Sequence, residues 1–364
     1  DTGQNARKSK GAFYTPRDIV SFICKESLRE YLYEKVGNST FNQGIDFLID
    51  YSDAEFLARK STSGADLWGV NSKSVTKKIV EALDNYKVID PACGSGAFPM
   101  GMLQLLLRTY ERLLKSFDPY AIKLSIIENS IFGVDIQPMA VEISRLRAWL
   151  SVLVDENDKN NIQPLPNLDF KFVCANTLIS LDKGTSKFAD PKLDKKLANL
   201  RDMYFNARSP EKKKKYQDEY HELTKINLFD SADRRTQQLK TFDPFKNIYS
   251  AEFFDAEYMF GISGGFDAVI GNPPYLLEGK TNKQAFKGIP YYQGKMDLWY
   301  SFAAIGIDFL KKNGHLCFIA KNNWVTNSGA SVLRNKIITD AKVEQLIDFG
   351  NLMIFENADQ QTMI

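Results

Sequence analysis

A chain of 364 residues with 44% apolar and 25% charged side chains has the composition of a globular protein, long enough for two or three domains. Its formal net charge of +2 excludes a polycation that holds nucleic acid by bulk charge alone, while leaving a local basic cleft open. Cys24, Cys93, Cys174 and Cys317 are scattered with no C-x-x-C pair, and the only histidines are His221 and His315; these counts argue against a disulfide framework, a metal site or histidine-based catalysis.

A reducing cytoplasm suits such cysteines. No uncharged run approaches the ~18 apolar residues of a membrane helix, and no basic-then-apolar leader opens the chain. The first residue is Asp1 rather than Met, so the expectation is a fragment or a processed piece.

Residues 1–85 read as a helical region, with Ile19, Ile23, Leu28 and Leu32 on one side of a helix opening at Pro16 and Arg17. The polar stretch from Tyr51 to Asn71 has no clear period. Strands and helices then alternate through residues 86–181. Lys87–Asp90 is a short apolar strand, followed by a glycine turn and a helical pattern from Ala97 to Leu114. Ile131–Asp135 is the second strand, Pro138 opens a helix reaching about Val154, and Asp169–Cys174 is the third strand.

Residues 182–262 form an insertion whose Leu193, Leu197, Leu200 and Tyr204, then Tyr216, Tyr220 and Leu223, predict a helical hairpin, its second helix capped by Ser209 ahead of Pro210. Window 191–240 holds 13 Lys/Arg against 8 Asp/Glu; Lys212–Lys215 fit either a nucleic-acid contact or a solvated helix face. In residues 263–364, strands are expected at Phe266–Ile270, Gly314–Ala320, Val343–Phe349 and Thr362–Ile364, with a helix over Asp297–Lys312. The alternation predicts an α/β fold: a mostly parallel seven-stranded sheet with helices on both faces, an N-terminal helical region and a helical insertion.

In an open α/β sheet, ligands bind outside the carboxyl ends of the strands. Four strand ends here carry polar or glycine-rich residues: Asp90, Asp135, Asn176 and Asn272. The turn Asp90-Pro91-Ala92-Cys93-Gly94-Ser95-Gly96 lets backbone approach a ligand closely and leads into a helix with free N–H groups. It matches neither the dinucleotide fingerprint, whose third glycine falls on Pro99, nor a P-loop, so a nucleoside ligand is favoured over a phosphate. Asp135 is placed to accept from two ribose hydroxyls, with a plain helix cap as the competing reading.

In Gly271-Asn272-Pro273-Pro274-Tyr275, two prolines stiffen the turn. The Asn272 side-chain oxygen and the Pro273 carbonyl become acceptors for one exocyclic amine, and Tyr275 offers a stacking face, as in a pocket for a flipped-out base.

Asp90–Phe98 together with Asn272–Tyr275 resembles the S-adenosylmethionine-dependent methyltransferases, specifically the gamma-class N6-adenine DNA methyltransferases. Lys10–Pro16 resembles their N-terminal cofactor motif and precedes the glycine loop, Lys295-x-Asp297-Leu298-x-Tyr300 and Gly314–Trp324 match later motifs, and the long insertion is similar to that of type IIG restriction-modification enzymes. The resemblance implies a Rossmann-like methyltransferase fold. Residues 86–181 would be its cofactor-binding half and residues 263–364 its catalytic half, ending before a target-recognition domain.

It further implies that Ala12, Phe13, Tyr14, Thr15 and Pro16, with Asp90, Pro91, Ala92, Cys93, Gly94, Ser95 and Gly96, bind S-adenosylmethionine, Thr15, Asp90 and the backbone around Ala92 and Gly94 surrounding its methionine part. Asp135 would hold the ribose, Ile136 would pack on the cofactor adenine, Asn176 would bond its edge, and Thr177 counts among the cofactor-binding residues. Asn272, Pro273, Pro274 and Tyr275 would hold the target adenine of double-stranded DNA, with Phe355 as a second aromatic sandwiching it. Lys321 departs from the pattern, which has proline there. No nuclease signature stands out; Glu278-Gly279-Lys280 and Glu211-Lys212-Lys213 fit a triplet that arises by chance. The competing functions are an amino-methyltransferase acting on protein glutamine or RNA, and an inactive cofactor- or DNA-binding fragment.

Overall fold

The computed structural model describes residues 14–63, 67–68, 72–155, 168–183, 191–205, 207, 209–228, 234–246, 248–279, 282–286, 288–355 and 361–364. Among the described residues four helices come first: α1 Arg17–Val36, α2 Asn42–Asp50, α3 Asp53–Ser63 and α4 Ser72–Asn85. α1 buries Val20, Ile23, Cys24, Leu28, Tyr31 and Leu32 along one stripe and packs across β4, β5 and α5, whose ranges follow. It stops at Gly37, whose φ of 65° is easy only for glycine and whose N–H returns to Tyr33 O at 2.9 Å.

The sheet is built from β1 Val88–Asp90, β2 Ile131–Asp135, β3 Phe172–Cys174, β4 Phe266–Gly271 and β5 Leu310–Phe318, all parallel, in the order β3-β2-β1-β4-β5. Strands β1 to β4 are buried at every position, as apolar runs covered on both faces must be. The connecting helices are α5 Ala97–Leu113 and α6 Pro119–Asn129 between β1 and β2, α7 Pro138–Leu153 before β3, and α12 Leu298–Asp308 before β5. The chain winds outward from β1 to β3 and then returns to the other side of β1 as β4. That reversal leaves a crevice outside the carboxyl ends of β1 and β4.

The insertion folds as α8 Pro191–Phe205, α9 Pro210–Leu228, α10 Arg234–Lys240 and α11 Ala256–Phe260. α8 and α9 form the expected hairpin, and Ser209 Oγ accepts from Lys212 N–H at 3.3 Å at the start of α9. Phe170, Leu197, Leu200, Tyr204 and Tyr220 make a second small core. Asp169 ties it to the sheet: Tyr204 OH donates to its Oδ2 at 2.9 Å, and the buried Arg145 of α7 donates to its Oδ1 at 3.1 Å and to Phe172 O at 2.7 Å.

Several expectations change. Asp53–Ser63 is helical where no period was legible. Ser52 and Glu55 form a reciprocal capping box, Ser52 N–H to Glu55 Oε2 at 2.8 Å and Glu55 N–H to Ser52 Oγ at 3.3 Å, so the signal lay in the cap. Helix α6 was not foreseen; Asp118 accepts from Tyr120 N–H and Ala121 N–H, with Pro119 at its first position. The third strand begins only at Phe172, because Leu168–Phe170 make a 3-10 turn. The helix expected to reach Lys312 ends at Asp308, and Leu310 already pairs with Phe266; a register shift between Phe266 and Ala268 takes up the slack, and Asn313 has φ 64°.

The sheet has five strands rather than seven. After β5, β6 Ala320–Lys321 and β7 Thr362–Met363 form a short antiparallel ribbon. Val343–Phe349 forms no strand. It meets β7 only through the Asp348–Met363 bridge, the paired Ile347–Ile364 bonds of 2.8 and 2.9 Å, and Phe349 N–H to Thr362 O at 3.0 Å. Two paired residues support too few ladder bonds to extend the sheet. The remaining helix is α13, Ser331–Asp340.

Arg112 of α5 joins the N-terminal helices to the sheet. Its buried guanidinium donates to Leu48 O and Tyr51 O, both at 2.7 Å, pairs with Asp53 at 2.5 Å and lies 4.7 Å from the Phe56 ring centroid. Arg112→Met leaves two carbonyls without donors and is expected to lower unfolding free energy by about 2–4 kcal/mol, read by urea titration. A loss below about 0.5 kcal/mol, the range of ordinary surface substitutions, would show that this clamp is dispensable.

Candidate active site at the strand carboxyl ends

The glycine loop leaves β1 at Asp90 and enters α5 at Ala97. Asp90 is 3% exposed, and its Oδ1 accepts from Ala92 N–H at 3.0 Å. Gly94 and Gly96 take φ of 53° and 79°, which turns the backbone sharply. A Cβ on Gly94 would meet nothing within 4 Å, so open space lies over the loop at that point. Across β1, a Cβ on Gly271 would stand 2.8 Å from Asp90 Oδ1; only glycine lets the end of β4 lie against that carboxyl.

Asp135 closes β2 with both oxygens engaged. Oδ2 accepts from Gly94 N–H at 2.9 Å and Oδ1 from Gln137 N–H at 2.8 Å. It therefore grips the glycine loop and caps the turn into α7, while each oxygen retains further acceptor capacity. Ile136, the next residue, is 56% exposed at the rim. Asn176 Oδ1 accepts from Leu178 N–H at 3.1 Å, and its own N–H donates to Ala251 O at 2.9 Å. Thr177 is buried and donates to Pro91 O at 2.6 Å, so its hydroxyl braces the loop.

The Asn272–Tyr275 turn follows β4. Asn272 Nδ2 donates to Thr15 Oγ1 at 3.0 Å, joining residues 257 positions apart. Thr15 is itself buried, whereas Tyr14 is 74% exposed, and Pro16 immediately precedes α1 as its cap residue. Tyr275 is buried, and its hydroxyl donates to Ile319 O at 2.9 Å, the residue between β5 and β6. Phe355 lies 6.1 Å from Tyr275, centroid to centroid, with planes at 63°. The two rings meet edge to face, so here they touch each other rather than bounding a parallel slot.

The structure thus brings Thr15, Asp90, Ala92, Gly94, Asp135, Thr177, Asn272, Tyr275 and Phe355 to one end of the sheet; Ala12 and Phe13 lie outside the described residues. Sequence reasoning missed the braces behind the loop. Ser144 Oγ donates to Gly94 O at 2.9 Å, and Arg147 Nη1 donates to Ser95 O at 2.6 Å. Both sit on α7, nine and twelve residues after Asp135, and only their three-residue spacing on the loop-facing side of that helix marks them. The Asp297–Lys321 pair under Tyr275 was missed as well.

Electrostatics at the loop are governed by burial. Desolvation pushes the Asp90 carboxyl well above its ordinary value of 3.8, and the negative Asp135 adds to the shift. The same burial, with Asp135 and Asp90 nearby, drives the Cys93 thiol well up, which makes it a packing group and a poor nucleophile. Desolvation also raises the Tyr275 phenol. Among the described residues, no group of His, Cys, Asp or Glu is arranged to hold a metal ion, and no helix is long and apolar enough to cross a membrane.

A doubly wound α/β sheet with its candidate site residues at the β1/β4 switch point defines a class of ligand-binding α/β proteins. Comparison narrows the class: residues 129–355 match the Eco57I restriction-modification methylase family, and the chain belongs to it. A protein of Methanocaldococcus jannaschii, provisionally named a type II restriction enzyme and methyltransferase, is 27% identical and covers 94% of this chain and 34% of its own length. The adenine-specific methyltransferase BrxX of Escherichia coli is 21% identical, over 89% of this chain and 28% of its own. The solved complex of DrdV with DNA has a TM-score of 0.45 at 13% identity, covering 98% of this chain and 26% of that one; a likeness at this level carries nothing about activity. The chain spans about a third of the length of these curated relatives.

The buried Asp90 generates a pH prediction. Its folded-state pKa lies above the unfolded value, so the folded protein holds the proton more tightly and stability falls as pH rises above about 4. Asp90→Asn keeps an acceptor for Ala92 N–H. The variant is expected to melt above the wild type near neutral pH and to lose that advantage as pH falls towards about 4. A melting difference that is flat with pH, measured by scanning calorimetry, would refute the buried charge.

Proposed function

We propose that this chain transfers a methyl group from S-adenosylmethionine to N6 of an adenine flipped out of double-stranded DNA, as the methylase portion of a restriction-modification enzyme. The observation that carries the reading is the Asn272–Thr15 hydrogen bond in a chain of the methylase family. It joins the predicted N-terminal cofactor motif to the Asn-Pro-Pro-Tyr turn, the two parts that such a reaction must bring together. The adenine specificity in the name of BrxX supports the choice of base.

The strand-end residues fit S-adenosylmethionine: open space lies over Gly94, and the Asp135 carboxylate stands beside the loop. That molecule, when bound, supplies an electrophilic methyl carbon on a positive sulfur. Asp135 keeps acceptor capacity for ribose hydroxyls, and exposed Ile136 offers apolar surface for an adenine ring. Ser144, Arg147 and Thr177 hold the loop from behind.

Asn272 and Pro273 address the nucleophile. An exocyclic adenine amine is weak because its lone pair is delocalised into the ring. With Nδ2 engaged by Thr15, the Asn272 amide presents Oδ1 as acceptor, and the Pro273 carbonyl is the second acceptor. Two acceptors on the amino hydrogens favour a pyramidal nitrogen and stabilise the positive charge arriving on it, which is catalysis by positioning and electrostatics. Tyr275, tethered through Ile319, supplies the stacking ring, and Phe355, which stands edge-on to it here, would have to turn to bound the base from its other face.

The test is incubation of the protein with methyl-labelled S-adenosylmethionine and unmethylated duplex DNA, followed by mass spectrometry of the nucleosides. Labelled N6-methyladenine is expected; label in cytosine alone, or in RNA or protein instead, would overturn the assignment. Asn272→Ala is expected to slow transfer roughly 10²–10³-fold while leaving S-adenosylmethionine affinity unchanged.

A further inference from the structure

Lys321 stands where the resembling family has proline, and the structure gives it a specific place. It is the second residue of β6, paired with Thr362 of β7. Its side chain is only 13% exposed. The ammonium donates to Asp297 Oδ2 at 2.9 Å and lies over the Tyr275 ring, 5.4 Å from its centroid.

Asp297 is fully buried at the start of α12, and its Oδ1 has no hydrogen-bond partner among the described residues. Its backbone is pinned to the catalytic turn: Leu277 and Asp297 form an antiparallel bridge, Leu298 N–H donates to Leu276 O at 2.9 Å, and Glu278 N–H donates to Met296 O at 2.9 Å. The pair therefore links three segments around one ring: the turn after β4, the head of α12 and the extension of β5.

A buried ion pair is a poor device for stability, because desolvating both charges offsets most of their attraction. This one also leaves a carboxylate oxygen unsatisfied. Its geometry fits a different task. A cation over one face of an aromatic ring attracts the ring's electron density and fixes its plane. It also occupies that face, so a planar base can stack only on the opposite one. The hydroxyl tether to Ile319 fixes the ring's long axis, and Lys321 fixes its rotation about that axis.

We propose that Lys321, held by Asp297, is a positioning residue of the target-base pocket: it orients the Tyr275 ring and reserves one face for the flipped base. The inference rests on the methyltransferase reading above and concerns binding of the DNA, not of S-adenosylmethionine.

The experiment compares the wild-type full-length protein with Lys321→Arg, Lys321→Met and the double variant Lys321→Met/Asp297→Asn. The double variant removes both charges, so it leaves no unpaired buried ion and remains informative if Lys321→Met alone fails to fold. Steady-state methyl transfer to unmethylated duplex DNA is measured together with S-adenosylmethionine affinity and melting temperature. For the double variant, KM for DNA is expected to rise about tenfold with a smaller change in kcat, while S-adenosylmethionine affinity and melting temperature stay at wild-type values. Lys321→Arg, whose planar cation both pairs with carboxylate and stacks, is expected to recover most of the loss.

A double variant with wild-type KM and kcat would overturn the inference, as would an equal loss of S-adenosylmethionine affinity, which would make the pair a general prop. A wild-type protein that transfers no methyl group to adenine would overturn the functional reading and this inference with it; transfer by the wild type matched in all three variants would overturn the inference alone.

Discussion

The close approach of two strand ends is the constraint on which the site depends. β4 returns beside β1, and Gly271 lies against the buried Asp90 carboxyl with no room for a side chain between them. That contact sets the separation of the glycine loop and the Asn272 turn. The parallel sheet supplies the rigidity, since each strand end is a fixed point from which a loop departs. Every other element of the site is a brace on one of those two loops.

The braces divide by source. Behind the glycine loop, Asp135, Ser144, Arg147 and Thr177 each take a loop backbone group, so the loop is held from the end of β2, from α7 and from the turn after β3. Behind the Asn272 turn, the partners come from far along the chain: Thr15 from the N-terminus, Ile319 from the end of β5, and Asp297 with Lys321 beneath the ring. Of all these braces the Thr15 bond spans the greatest distance along the chain, 257 positions; the Thr177 bond to Pro91 spans 86 and the Tyr275 bond to Ile319 spans 44. A site assembled this way gathers desolvated carboxyls, as in Asp90 and Asp297, and such groups are tolerated where they serve position or chemistry.

Much of this was legible before the structure. The strand ends at Asp90, Asp135 and Gly271 fall where apolar runs meet polar or glycine residues, because a buried parallel strand leaves no other pattern. The α8–α9 hairpin was legible from apolar spacing and the Ser209-Pro210 start. The Ser52–Glu55 capping box and the Asp118-Pro119 start were equally local signals, hidden because the helices behind them carry weak apolar periods. The sixth strand failed for a different reason. Val343–Phe349 has strand-like residues but finds one short partner, and pairing is a property of two segments rather than one.

What the sequence by itself determined is the local grammar: which segments are helix or strand, where they stop, and which residue types stand at the stops. Period, caps, prolines and glycines act over a few residues, so their meaning survives without a fold. What only the tertiary structure decided is which of those residues meet. Thr15 reaches Asn272 across 257 positions, Lys321 finds Asp297 and the Tyr275 face, and Phe355 turns edge-on to Tyr275 instead of facing it. Those contacts follow from the order in which the strands pack and from the burial of charges and rings between them, which sequence spacing alone does not encode.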